Sequence, residues 1–206
     1  MDISKWEQLP VESVVAKIVS NLEVRNISAE VVDTKEQALD RLKELIPDGA
    51  IVMTGSSTTL DQIGFTDLLK SGRHPWKNLK DGIMAEKDSA KQDELRKRSV
   101  LADYFLGSVH AVAEDGRILD ASATGSQLPA YAFTSPNVIW VVGVQKITKD
   151  LENAFIRLRE YVFPLEDQRM KNNGYAGSVI GKVMLFEKEF FPGRVHIVFV
   201  RQSLGF

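Results

Sequence analysis

The stretch Asn137-Val138-Ile139-Trp140-Val141-Val142-Gly143 decides the reading of the fold. A strand with one wet face alternates polar and apolar side chains. A strand that is apolar at every position is expected to be covered on both faces, as in a parallel sheet between two layers. After it, residues 150–162 predict a helix with Leu151, Ala154, Phe155, Leu158 and Val162 along one side. Before it, residues 104–106 and 111–113 read as strands. Glu114-Asp115-Gly116-Arg117 is a turn, residues 118–121 are the return strand of a hairpin, and residues 126–133 form a short helix.

Further out, residues 50–53 are a short buried strand, and the segment that follows, to about residue 69, is broken by Gly64. Residues 35–46 predict a helix opened by Thr34 as N-cap, with Gln37 in the capping-box position. Residues 28–33 read as a strand. Residues 10–26 form an amphipathic helix on Val11, Val14, Val15, Ile18, Val19 and Leu22, with Pro10 in its first turn. Residues 86–101 are a charged helix that lies on the body by one face. Residues 164–182 are mixed. Residues 183–186 and 195–200 read as two last strands, expected to form an antiparallel appendage.

Strands alternating with helices imply an α/β fold. The expectation is a Rossmann-like, mostly parallel, doubly wound sheet with helices on both faces. One domain over residues 1–206 is expected, with residues 1–49 as an N-terminal portion and 50–206 as the core. The 206 residues are 44% hydrophobic, 26% charged and 8% aromatic, with net charge -2. These values fit a globular chain and do not point to nucleic acid as a partner. With no cysteine, thiolate metal sites, cysteine-held iron–sulfur clusters and a Cys nucleophile are excluded, and no cofactor is expected in this chain. The opening Met1-Asp2-Ile3-Ser4-Lys5-Trp6 lacks a basic-then-apolar leader, and no apolar run is long enough to span a bilayer. A cytoplasmic protein with no membrane partner is expected.

Four segments carry candidate chemistry. Thr54-Gly55-Ser56-Ser57-Thr58-Thr59 follows a buried strand, where ligands of open α/β sheets bind. Its glycine and hydroxyls suit an anion, and the plain alternative is a Ser/Thr cap and turn. Asp120-Ala121-Ser122-Ala123-Thr124-Gly125-Ser126-Gln127 is a second loop of this kind, with capping by Thr124 or Ser126 as its plain alternative. Lys146, in Gly143-Val144-Gln145-Lys146, stands just past the strongest strand and is placed to put a charge over the site. Asp103 precedes a strand that ends at Gly107, and there a local cap is the plainer reading.

Weaker signals are Glu114, a candidate carboxylate base or nucleophile that equally suits a hairpin turn, and Gly174-Tyr175-Ala176-Gly177-Ser178 as a loop near the site. His74, His110 and His196 make no metal spacing. Gly181-Lys182 fails as a phosphate-binding P-loop, because Ala176 and Val183 stand where Gly and Ser/Thr are required.

Several pieces in order resemble the LUD domain of LutC-type lactate-utilisation proteins: Ala102-Asp103-Tyr104-Phe105-Leu106-Gly107, Ala111, Glu114-Asp115-Gly116, Thr124-Gly125, residues 141–147, Ala154 with Arg157, and residues 193–200 with Leu204-Gly205-Phe206. The resemblance implies a fold like that of ribose-5-phosphate isomerases, glucosamine-6-phosphate deaminases and CoA-transferases. It implies a role beside iron–sulfur partner subunits in oxidising L-lactate to pyruvate. The ligand implied is a small anionic metabolite: a carboxylate, sugar phosphate or CoA ester. The binding set is Thr54, Gly55, Ser56, Ser57, Thr58, Gly107, Thr124, Gly125, Ser126 and Lys146; the catalytic candidates are Asp103, Glu114 and Lys146.

Two departures stand out. Family members carry cysteines toward the C-terminus where this chain has Asp167-Gln168-Arg169-Met170-Lys171. Ser108 and Val109 occupy the place of the isomerases' acidic residues. A sugar-phosphate isomerase or CoA-transferase activity, and an inactive interaction module using the charged helix around residues 91–98, stand as alternatives.

Overall fold

The computed structural model describes residues 4–206. Residues 1–3, part of the opening read for a leader, lie outside the described residues.

The long apolar strand is central, as expected. The principal sheet has six strands, all parallel, in the order β1-β10-β7-β4-β2-β3. These are β1 (Ser28–Val32), β2 (Ile51–Thr54), β3 (Lys77–Asn78), β4 (Tyr104–Gly107), β7 (Asn137–Gly143) and β10 (Val195–Val200). A second sheet of four strands has the order β8-β5-β6-β9. It is made of β5 (Ala111–Ala113), β6 (Ile118–Ser122), β8 (Ile147–Thr148) and β9 (Lys182–Phe186).

The two faces of β7 enter different cores. Val138, Trp140 and Val142 pack with Val15, Ile18 and Leu22 of α1 (Glu12–Val24), and with Val112, Ile118 and Phe186 of the small sheet. Ile139 and Val141 pack with Leu42 of α2 (Lys35–Leu45), Leu60 of α3 (Thr58–Gln62) and Phe65 of α4 (Phe65–Ser71). This is why no position between the strand's ends tolerates a polar side chain. Helices cover both faces, but α1 shares its face with the small sheet, which the sequence reading did not foresee.

Residues 195–200 correct one expectation. They form no appendage: β10 lies between β1 and β7 and runs parallel to both. Both alternating sets, Val195, Ile197 and Phe199 on one side and Val198 and Val200 on the other, are buried. An edge hairpin would leave one set in water. β9 instead pairs antiparallel with β6, which also pairs antiparallel with β5 as the hairpin reading required.

Local signals held where caps and breakers were explicit. Thr34 and Gln37 form the capping box at the start of α2. Gly64, at φ 82°, separates α3 from α4. Pro10 precedes the N-cap Val11 rather than entering the first turn of α1. The charged helix is shorter than read: α5 (Leu79–Ala85) precedes α6 (Ser89–Arg98), which buries no residue. The helix read at 126–133 is present but shifted: it starts at Leu128 and is π-helical over Ala130–Thr134.

The stretch left as mixed, residues 164–182, is helical only as far as Asn172. α7 (Leu151–Arg157) passes through a π-helical turn, Leu158–Val162, into α8 (Phe163–Asn172). Pro164 has no N–H to continue the regular ladder, and a π-turn absorbs the missing bond without breaking the helix. The outer face of the small sheet, Ala111, Leu119 and Ala121, packs against Ala154, Leu158, Tyr161 and Val162 of this segment.

Candidate functional site

All six strands of the main sheet run the same way, so their carboxyl ends share one edge. The chain leaves β2 through Gly55-Ser56-Ser57, β4 through Ser108 and Val109, and β7 through Val144-Gln145-Lys146. Over this edge folds the 122–127 loop of the small sheet. Gly55 and Gln127 come close enough that a Cβ built on Gly55 would lie 3.8 Å from Cβ of Gln127. α8 and the segment after it form the far wall. The result is a cleft of about 710 Å³, within the range of roughly 300–1,000 Å³ usual for small-molecule sites.

Seven of the sequence-predicted residues line it: Gly55, Ser56, Ser57, Thr58, Thr124, Ser126 and Lys146. Ser57 also caps α3, accepting from the Leu60 N–H at 3.3 Å. Thr54, Gly107 and Gly125 are not in the lining and serve the frame. Thr54 is buried and its hydroxyl accepts from Lys80 Nζ at 3.3 Å. Burial lowers the pKa of Lys80.

Gly107 is glycine because Tyr131 takes the space of a side chain. A Cβ there would stand 1.8 Å from the phenolic oxygen. Gly125 sits at φ 86°, turns the loop and donates its N–H to Ser122 Oγ at 2.9 Å.

The two carboxylate candidates lie away from the cleft. Asp103 opens β4 at the opposite end of the sheet and accepts from the Ile51 N–H at 2.9 Å. This is not the local cap of the plainer reading: the bond ties the start of β4 to β2, across a sequence separation of 52. Glu114 sits in the hairpin turn, ion-paired with Lys17 at 3.1 Å. Neither lines the cleft.

Lys146 is only 2% exposed yet forms part of the cleft wall. Its Nζ bonds to Thr59 Oγ1 and Ser108 Oγ, both at 3.1 Å, and has no carboxylate partner among the described residues. Burial holds this amine well below the usual lysine range; the nearby Arg157 charge adds to the effect and Asp120 opposes it. Desolvation disfavours the ammonium form, so a buried lysine without a counter-ion gives up its proton readily.

The structure brings in residues that spacing alone had not singled out. His110 and Asp120 face each other across the hairpin, with Nδ1 2.6 Å from Asp120 Oδ1 and 3.0 Å from the Ala121 N–H. The pair of Ala111 with Leu119 in the hairpin register implies this meeting, so a turn centred on Glu114–Arg117 carried the signal. Gln127 Nε2 lies 3.5 Å from Asp120 Oδ2 and donates to the Ala121 carbonyl at 3.4 Å.

Behind His110, the wholly buried Arg157 donates to the His110 carbonyl at 2.6 Å and lies 5.0 Å from the Tyr161 ring. Its Nε and Nη2 have no protein partner among the described residues, and burial lowers its pKa to about 10. Glu166 and Arg169, paired at 2.7 Å, add charge to the far wall. Leu158, Val162, Phe163 and Met170 make that wall partly apolar. Among the described residues no group of His, Asp and Glu is arranged to hold a metal ion. No helix there is long and apolar enough to cross a membrane.

Fold and cleft define an α/β domain with a cleft at the carboxyl edge of a parallel sheet. The LUD domain family model matches residues 15–200, and the chain belongs to that family. A structure of a DUF162 family protein from Deinococcus radiodurans is similar over 93% of this chain and 99% of its own, at 10% identity and a TM-score of 0.56. At that identity it bears on the fold alone. A D-ribose-5-phosphate isomerase in complex with phospho-erythronic acid covers 82% of this chain and 95% of its own, at 13% identity and a TM-score of 0.37. The eIF2B delta subunit from Chaetomium thermophilum covers 70% and 54%, at 11% identity and a TM-score of 0.35. Likeness at these two scores is too loose to transfer anything. No curated protein matches the chain.

Proposed function

We propose that the chain is the small-anion-binding component of a lactate-utilisation system. One observation carries this reading: the Gly55–Thr58 loop, the Thr124–Ser126 loop and Lys146, separate in sequence, converge on one cleft around an amine that has no carboxylate partner among the described residues. An anion beside a buried amine answered by hydroxyls favours the ammonium form that burial disfavours. The LUD family's association with lactate utilisation supplies the context. The cleft volume of about 710 Å³ far exceeds a three-carbon acid and favours the bulkier candidates, a sugar phosphate or a CoA ester, over free lactate. Having no cysteine, the chain leaves any cysteine-held iron–sulfur chemistry to partner subunits.

The test is a thermal-shift screen with lactate, pyruvate, sugar phosphates and CoA esters, repeated with Thr58→Ala and Lys146→Ala. A ligand at 100 times its Kd stabilises the native state by about 2.7 kcal/mol. A shift present in the parent and lost in both variants supports the reading. A chain indifferent to every anion refutes it.

A further inference from the structure

The hydroxyl beside Lys146 is itself a reactive group in waiting. Ser108 is half-buried, lines the cleft and stands 3.1 Å from Lys146 Nζ. Thr59 Oγ1, at the same distance, holds the amine from another side. Nucleophilic catalysis asks for these three parts: a hydroxyl open to substrate, a base within hydrogen-bond reach of it, and a third group that orients the base. A serine with a lysine base is one of the recurring forms of that arrangement.

We infer that Ser108 and Lys146 are a nucleophile–base pair, oriented by Thr59, and that the cleft hydrolyses carboxylic esters through an acyl-serine. The inference rests on the cleft being a ligand site and goes beyond binding: the ester carbonyl that meets Lys146 is uncharged, and an anion held at the amine, by protonating it, inhibits the reaction. It draws on nothing from Asp103 or Glu114.

The steps balance. Neutral Lys146 takes the Ser108 proton as Oγ attacks the ester carbonyl carbon, and the carbonyl electron pair moves to oxygen. The tetrahedral adduct collapses and the C–O bond to the alcohol breaks. The leaving alkoxide takes the proton from the Lys146 ammonium and departs as the alcohol. Water then gives a proton to Lys146 and attacks the acyl-serine. Collapse expels Ser108 Oγ, which is reprotonated by Lys146, and the carboxylic acid leaves. One ester and one water become one acid and one alcohol.

The surroundings fit such a base. Burial disfavours the ammonium form of the amine, and its Nζ stands 3.1 Å from the Ser108 hydroxyl. Leu158, Val162 and Met170 on the far wall offer cover to an acyl chain.

The test uses the full chain with an alkyl fluorophosphonate, whose phosphorus is attacked by an activated serine, and with 4-nitrophenyl butyrate. Intact-mass and peptide mapping read the adduct. The expected result is one adduct on Ser108, absent in Ser108→Ala. Lys146→Met slows labelling and ester cleavage by about 100-fold or more, the usual worth of a positioned base. Thr59→Val slows both, and Thr59→Ser restores them, which a merely structural role for Thr59 would not require. Melting curves report whether each variant is folded; should Lys146→Met unfold, the Thr59 pair still decides.

No adduct on Ser108, or labelling of folded Lys146→Met at the parent rate, overturns the inference. Anion-induced thermal shifts are read separately on the unlabelled parent protein. Shifts without an adduct leave the binding proposal standing and remove the catalytic one; an adduct without shifts does the reverse.

Discussion

Replacing Gly107 by alanine separates a packing role from a ligand role at a position that sequence reading assigned to the ligand. The new Cβ would stand 1.8 Å from Tyr131 Oη and 3.0 Å from its Cζ. The ring has nowhere to go: it is buried, edge-on to Phe105 at 5.5 Å and to Trp140 at 5.3 Å. Overpacking a close-packed core costs typically about 1–3 kcal/mol, and a contact this short inside a clamped aromatic cluster belongs at about 3 kcal/mol. For a chain of this size that lowers Tm by about 6–12 °C.

Tyr131→Phe removes the oxygen and leaves the 3.0 Å contact to Cζ. The double variant Gly107→Ala/Tyr131→Phe is therefore expected to recover about half of the loss, with a coupling energy of about 1–2 kcal/mol in a double-mutant cycle. Calorimetry or urea unfolding of the four proteins measures it. A stable Gly107→Ala with weakened anion binding, or a cycle with no coupling, would refute the packing account and return Gly107 to the ligand.

Three further outcomes are expected. Anion binding at Lys146 should take up a proton, because an anion raises the depressed pKa of the amine; affinity then falls as pH rises, and titration calorimetry in buffers of different ionisation enthalpy reads the uptake, so a buffer-independent enthalpy counts against it. Lys146 should also shape stability: unfolded, it returns to its ordinary value of 10.5 and binds more protons than the folded state, so stability rises with pH between the depressed value and 10.5, and Lys146→Met flattens that rise in a Tm-against-pH series while the raised pKa of Tyr131 pulls the other way only above 10.0. Arg194 is 2.7 Å from Glu189 and donates to the Tyr131 and Ser135 carbonyls at 2.6 and 3.0 Å; Arg194→Met strands a buried carboxylate and should cost about 3–5 kcal/mol in urea unfolding, with part regained in Arg194→Met/Glu189→Leu.

Much of this protein was settled by signals a few residues long. The unbroken apolar run of β7 implied a strand covered on both sides, because alternate side chains point to opposite faces and neither face could be wet. Thr34 with Gln37, and Gly64 between α3 and α4, marked helix boundaries by hydrogen bonds and backbone angles reaching no further than their neighbours. Gly55, Ser56, Ser57, Thr58 and Lys146 were legible because the segments after parallel strands gather at one edge whatever the order of the strands, and Thr124 and Ser126 because their loop is rich in glycine and hydroxyls.

What the sequence left open depends on who lies beside whom. β10 has the pattern of any short apolar strand, and only the filled space between β1 and β7 made it central rather than peripheral. The roles of Asp103, Glu114 and Gly107 changed because a side chain's chemistry is set by its neighbours: an Ile51 N–H, a Lys17 ammonium and a Tyr131 ring. Ser108 and Thr59 acquired theirs by standing within hydrogen-bond reach of Lys146, across sequence separations of 38 and 87 residues. Burial then altered the amine itself, since the free energy of a charge depends on the water around it, and that water is excluded only by the assembled fold.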